Sequence, residues 1–251
     1  MQDKQNHIVR SGDWFSANCL ALNESKPHQM VFSYKNHPFH NDDSLKYLGV
    51  YLDPLLTWRA HVDQLSKKLC KSVFIIRSLK QIVPSDTLLM SYHSLFFSHC
   101  CYALLSWGHS PHMIRVFALQ RRVVRVLGGL GYREDARQKF VELRLMTLPS
   151  KYIYLSVLYV RHNLREYNLV SDVHDHGTRN NNNIRLPFLR LSHSRNAKNY
   201  YGPLFYNHLP KTLKQLNDKQ FLASLKKILI TKCFYTFEAF LNTTLNDHHF
   251  L

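Results

Sequence analysis

Between Ser44 and Leu79 the spacing of apolar residues changes period. The run Leu45-Lys46-Tyr47-Leu48-Gly49-Val50-Tyr51-Leu52-Asp53 has the length and content of a short strand. Directly after it, Trp58, Val62, Leu65, Leu69, Val73, Ile76 and Leu79 recur every three or four residues and make one apolar helix face. Lys67, Lys68 and Lys71 lie elsewhere on that helix. The chain is thereby constrained to a strand that breaks into a helix packed on one face and basic on another.

Upstream, residues 8 to 18 read as the end of a helix, with Trp14 and Phe15 spaced to pack against a sheet. Leu20-Ala21-Leu22 and Gln29-Met30-Val31-Phe32-Ser33 read as strands around the turn Asn23-Glu24-Ser25-Lys26-Pro27, and a polar loop from Lys35 to Asp43 leads on. Downstream, a second helix starts at Pro84-Ser85-Asp86, with Ser85 or Asp86 as cap and Leu88, Leu89, Tyr92, Leu95, Phe96 and His99 behind it. A third follows Pro111, with Ile114, Phe117, Ala118 and Val124 on one side and Arg121, Arg122 and Arg125 on others, and stops at Gly128-Gly129. These short connections predict a small bundle. A fourth helical pattern covers 149–167 through Tyr152, Leu155, Leu158 and Val160.

Residues 171–183 are polar and without period, which predicts a linker. Residues 184–210 mix Arg, Tyr and Pro. Leu216 to Leu241 is again helical, with Phe221, Leu225, Ile228 and Leu229 apolar beside Lys226, Lys227 and Lys232. The expected fold is mainly α with a small antiparallel β portion at the N-terminus. Its parts are 1–55, a basic helical region 56–170, the linker 171–183 and a helical region 184–251.

With 251 residues, 45% of them hydrophobic, the chain can bury a sizeable core in one or two domains. Thirty-three Lys and Arg against 17 Asp and Glu give a net charge of +16, the balance of a partner for nucleic acid or an anionic membrane. The charge is −1 over 1–55, +11 over 56–170 and +6 over 171–251. Lys67, Lys68, Lys71, Arg77, Arg121, Arg122 and Arg125 are therefore the candidate phosphate contacts, since such contacts release counterions and need read no sequence. Tyr200, Tyr201, Phe205 and Tyr206, near Arg195 and Lys198, suit either base stacking or a core.

Five scattered cysteines, Cys19, Cys70, Cys100, Cys101 and Cys233, read as reduced, mostly buried thiols without zinc-ligand spacing. His174-Asp175-His176 and His248-His249 lack a third ligand, so no metal site is expected. No apolar run approaches the roughly 20 residues of a membrane span, and the polar start is unlike a signal peptide. An intracellular protein, nuclear or cytoplasmic and without a membrane partner, is the expectation.

Several short motifs occur in a telling order. Trp14, Asn18, Leu20, Leu22 and Asn23 precede Lys26; Lys46-Tyr47-Leu48-Gly49 follows, then Trp58 with His61, Trp107-Gly108, and Leu119-Gln120 with Arg121 and Arg125. Gly177-Thr178-Arg179 and Tyr206-Asn207-His208-Leu209-Pro210 complete the set. Together they resemble the palm-to-thumb junction and C-terminal region of reverse transcriptases from non-LTR retrotransposons of the jockey kind. The family's Lys-Thr stands here as Lys26-Pro27.

The resemblance implies a palm-edge remnant over 1–55, a thumb over 56–170 and an RNA–DNA hybrid or other nucleic acid as partner. It implies a primer-grip-like hairpin at Lys46, Tyr47, Leu48 and Gly49, where glycine permits close backbone approach. On residues alone the same segment is an ordinary buried strand with a bulge. Lys26 matches a position that other polymerases use to protonate pyrophosphate, a possible auxiliary acid; alone it is a turn lysine.

Polymerase chemistry also needs paired carboxylates holding two metal ions roughly 3.5–4 Å apart. The one Asp-Asp pair, Asp42-Asp43, follows His40-Asn41 in a polar loop without the apolar flanks of a buried turn. In the family the Asp-Asp turn would lie upstream of Met1, with the fingers and most of the palm. The expectation is thus a fragment of an RNA-directed DNA polymerase that contributes template-primer binding and is inactive alone. It would hold no cofactor itself, Mg²⁺ being implied for the intact polymerase, with the upstream palm and fingers as partners. The alternative is a stand-alone basic nucleic-acid-binding protein derived from such an element.

Overall fold

A computed structural model describes residues 12–21, 30, 32, 44–172, 183–188 and 198–245. The chain divides into two compact units, Met1–Leu56 and Thr57–Leu251.

In the first unit, residues 12–17 are helical. Trp14, expected to pack against a sheet, is 59% exposed and meets the Phe15 ring edge-on at 5.3 Å. Leu20, Ala21, Met30 and Phe32 carry no strand; the rest of the two expected strands, Lys26 and Asp42-Asp43 lie outside the described residues.

The apolar run at Leu45 is two strands rather than one. β1 (Leu45–Tyr47) and β2 (Val50–Leu52) pair antiparallel, with Tyr47 opposite Val50, so only Leu48-Gly49 joins them. Both turn residues have positive φ, 46° and 81°, as in the type I′ turn that matches the twist of a tight hairpin. Gly49 takes this conformation at no steric cost, whereas Leu48 does so against its Cβ. The buried-strand reading fails here too, because Tyr47 and Leu48 are 60% and 73% exposed.

The second unit opens with α1 (Arg59–Leu79), which buries Val62, Leu65, Leu69, Val73 and Ile76 as the period predicts. It lies beside α5 (Met113–Gly128). The two run parallel: Arg115 of α5 pairs with Asp63 near their starts, and Lys80 Nζ lies beside Gly129 just past their ends.

Between them, α2 (Ser85–Tyr92) begins on Pro84, so Ser85 and Asp86 lie inside the helix and neither caps it. It passes through a five-residue π-helical turn, His93–Phe97, into α3 (Ser98–Cys101). Within that turn the Leu95 carbonyl accepts from Ser72 Oγ of α1 at 2.7 Å. α4 (Leu104–Trp107) buries Trp107.

The buried face of α5 is Val116, Phe117, Gln120, Val123 and Val124. It is rotated from the expected one, for Ile114 is 66% exposed and Ala118 is exposed. The helix stops at Gly128, as expected.

α6 (Arg137–Glu142) leads to α7 (Leu148–His162), which is shorter than the predicted 149–167. Its N-cap Thr147 accepts from the Ser150 N–H and donates to the Phe234 carbonyl. After 183–188 come α8 (Lys198–His208), α9 (Lys211–Gln215), α10 (Asp218–Lys232) and α11 (Phe237–Leu241). The single helix expected over Leu216–Leu241 is thus broken: Cys233 turns left-handed at φ 49°, and Thr236 caps α11.

Helices α8, α10 and α11 pack on α7, so the regions before and after 171–183 share one core. Arg161 of α7 fastens it by donating to Asp218 Oδ1 at 2.8 Å and the Leu216 carbonyl at 2.6 Å, its guanidinium 4.0 Å above the Phe221 ring. The chain is mainly α with a small antiparallel sheet near its N-terminus, the class the sequence predicts.

Candidate nucleic-acid interface

Burial of one side of α1 fixes what the other side presents. Lys67, Lys68, Lys71 and Arg77 are all exposed, and none forms an ion pair with a described carboxylate. Lys67 and Lys71 stand one turn apart, with Lys68 between them, so three ammonium groups occupy adjacent turns. Asp63, one turn before Lys67, is engaged by Arg115 at 2.5 Å. Lys68 also reaches toward α3: with burial, which acts more strongly, it holds the His99 imidazole below its ordinary pKa.

The three α5 arginines behave differently. Arg122 is exposed. Arg125 donates through Nε to the Glu134 carbonyl at 2.6 Å and so ties down the following loop. Arg121 lies 5.2 Å above the Phe117 ring and 5.9 Å from that of Tyr235, with its Nε buried and unbonded. Five of the seven predicted basic residues thus face solvent, while Arg121 and Arg125 are partly spoken for by the fold.

In the other unit the hairpin offers its turn outward. Lys46, Tyr47, Leu48 and Gly49 are all exposed, and Lys46 Nζ stands 5.9 Å above the ring of its cross-strand partner Tyr51.

Many of the motif residues prove to be structural. His61 is buried between the rings of Trp58 and Trp107, and Trp107 donates its indole N–H to the Tyr102 carbonyl at 3.0 Å. Gln120 is fully buried; it donates to Tyr92 Oη and the Met146 carbonyl and accepts from the Leu148 N–H. Phe205 and Tyr206 are core residues, whereas Tyr200 and Tyr201 are half-buried. Gly177-Thr178-Arg179, the two histidine groups and Arg195 lie outside the described residues.

All five cysteines are free thiols, but the expectation that most are buried is corrected: Cys100 and Cys233 are buried, whereas Cys19 and Cys70 are exposed. Burial pushes the Cys101 and Cys233 thiols up to about 11, which keeps them protonated and unreactive near neutrality. Among the described residues no three His, Cys, Asp or Glu side chains form a group able to hold a metal ion. Among the same residues no helix is long and apolar enough to cross a membrane.

Sequence reasoning missed Arg137, whose guanidinium lies 4.5 Å above the Tyr235 ring. Nothing local to Arg137 signals this, since Tyr235 comes from the far end of the chain.

Over 141 residues, half of this chain, the sequence is 26% identical to the probable RNA-directed DNA polymerase from transposon X-element of Drosophila melanogaster. That stretch spans 15% of the length of the Drosophila protein. The similarity relates the chain to a transposon reverse transcriptase. No family model matches the chain, and no solved structure matches it.

Proposed function

We propose that this chain is the palm edge, thumb and C-terminal helical part of a reverse transcriptase from a jockey-like non-LTR retrotransposon. In this reading it holds the RNA–DNA template-primer hybrid while palm and fingers upstream in the same polyprotein carry the Mg²⁺ ions and extend the primer. It binds and is inactive alone.

The observation that carries the reading is the exposed row Lys67, Lys68 and Lys71 on a helix whose opposite face is buried. A rigid rod with unpaired ammonium groups at adjacent turns can follow a phosphate backbone without reading bases. The exposed turn of Lys46–Gly49 is the corresponding candidate for holding the primer end through its backbone.

Reversing charge in the triple variant Lys67→Glu, Lys68→Glu and Lys71→Glu tests this by fluorescence anisotropy on RNA–DNA hybrids over a range of salt. Each lost phosphate contact flattens the log K against log salt slope by about 0.9 on a duplex of B-form charge density. We expect weaker binding and a shallower slope, alike on two unrelated sequences, with unchanged circular dichroism. Unaltered affinity and slope would remove the interface from α1. Primer extension by the chain and by a version lengthened upstream tests the division of labour; extension by the short chain would refute it.

A further inference from the structure

Arg121 and Arg137 place two guanidinium groups over one ring, that of Tyr235, at 5.9 and 4.5 Å. Stacking occupies the flat faces of guanidinium groups and leaves their N–H edges for an anion. Neither arginine forms an ion pair with a described carboxylate. Asp135, close by, accepts the Tyr235 hydroxyl at 3.3 Å and the Arg137 backbone N–H at 3.2 Å through the same Oδ1.

Tyr235 and Phe117, the two rings under Arg121, also line an open groove of about 580 Å³. Its walls include Tyr200, Tyr201 and Phe237, and Glu238 in the first turn of α11 contributes a carboxylate. Tyr201 is held in place by Phe205, stacked at 5.5 Å, and by Phe237 at 5.4 Å. The groove therefore combines preformed aromatic faces with an acceptor, and the Tyr235 ring in its wall carries two cations that do not themselves line it. A flat base carrying a phosphate matches all three.

We propose that this groove binds one unstacked nucleotide of a single strand, with its base against Tyr200 and Tyr201 and its phosphate at Arg121 and Arg137. Glu238 accepts a hydrogen bond from an exocyclic amino group, which favours cytosine or adenine over uracil. The inference rests on the reading of the chain as a nucleic-acid partner but uses side chains distant in sequence from the α1 lysines. An apolar peptide would gain from the rings and leave both guanidiniums unanswered.

Anisotropy with labelled cytidine and uridine dodecamers, run beside an RNA–DNA hybrid, tests it on the whole chain. We expect tighter binding of the cytidine strand. Arg121→Gln with Arg137→Gln, and separately Tyr200→Ala, should each weaken single-strand binding about tenfold, within the range of charged contacts and base stacking. Glu238→Gln should narrow the preference for cytidine. Hybrid binding should survive these changes and fall in the Lys67, Lys68 and Lys71 variant, which should still bind the dodecamer. Unchanged single-strand affinity in both folded groove variants overturns the proposal, as does preferential capture of a proline- and tyrosine-rich peptide over either strand. Wild-type binding to the dodecamer without binding to hybrid would count against the thumb and leave the groove standing.

Discussion

Asn207 holds both backbone polar groups of Ile184: the Ile184 N–H donates to Asn207 Oδ1 at 2.9 Å, and Asn207 Nδ2 donates to the Ile184 carbonyl at 2.7 Å. Ile184 in turn bridges Leu169. One side chain thereby fixes where the chain re-enters the core after 171–183, at the foot of α8. The same helix end is secured by Lys214, which donates to the Asn207 carbonyl, and by His208, whose Nε2 lies 3.0 Å from the Thr243 carbonyl. The Tyr206–Pro210 motif is thus a joint, which explains its residues without giving them a ligand.

Replacing Asn207 by Ala strands a partly buried N–H and a carbonyl, a loss of about 1–3 kcal/mol. Asn207→Asp keeps the acceptor but sets a carboxylate against the Ile184 carbonyl, so it should not rescue stability. Urea midpoints of the two variants measure this; full stability of Asn207→Asp would show that the donated bond contributes nothing.

Gln120 carries more. Its amide joins α2 through Tyr92 and the start of α7 through Met146 and Leu148, at 2.9, 3.0 and 2.8 Å. Gln120→Leu keeps the bulk and orphans three buried groups, which should cost about 2–5 kcal/mol, while Tyr92→Phe removes one bond and should cost about 1 kcal/mol. Chemical denaturation gives both numbers, and an inverted order would mean that the network is not what fixes α5 against α7.

Burial holds the His61 imidazole below its ordinary pKa of 6.5. The unfolded chain therefore binds a proton at higher pH than the folded one does, so stability is complete above about pH 6.5 and falls as the solution is acidified below it. His61→Phe keeps a ring between Trp58 and Trp107 and removes the titration. The difference in urea midpoint between the two proteins should shift in favour of the variant from about pH 7.5 to about pH 5.5. A constant difference would mean that His61 is as easily protonated folded as unfolded.

What could be read from the sequence follows from how local each cause is. The α1 face was legible because a 3.6-residue period places Val62, Leu65, Leu69, Val73 and Ile76 together and leaves Lys67, Lys68 and Lys71 outside. The hairpin was implied by the resemblance but hidden to a reading of the residues alone, because its turn uses Leu48, a residue that normally avoids positive φ, inside an unbroken apolar run. In α5 the interspersed arginines blurred the period, and the fully buried Gln120 looked polar. Helix α8 was masked by Gly202-Pro203, two residues that ordinarily weaken helices. Arg121 and Arg122 are the same residue type side by side; the rings of Phe117, one turn back, and Tyr235, brought in from the loop between α10 and α11, give Arg121 a different environment.

Gly202 itself is explained by α7. A Cβ at this position would lie 2.9 Å from Val160 Cγ2, closer than side chains tolerate, and Val160 is fully buried. Gly202→Ala should gain about 1 kcal/mol of helix propensity and lose about 1–3 kcal/mol to overpacking, a net destabilisation. In a Val160→Ala background the obstructing methyl groups are gone, so the same substitution should be neutral or favourable there. A double-mutant cycle read by denaturation isolates that coupling. Equal effects of Gly202→Ala in both backgrounds would mean that the close approach of α8 to α7 is not what requires glycine.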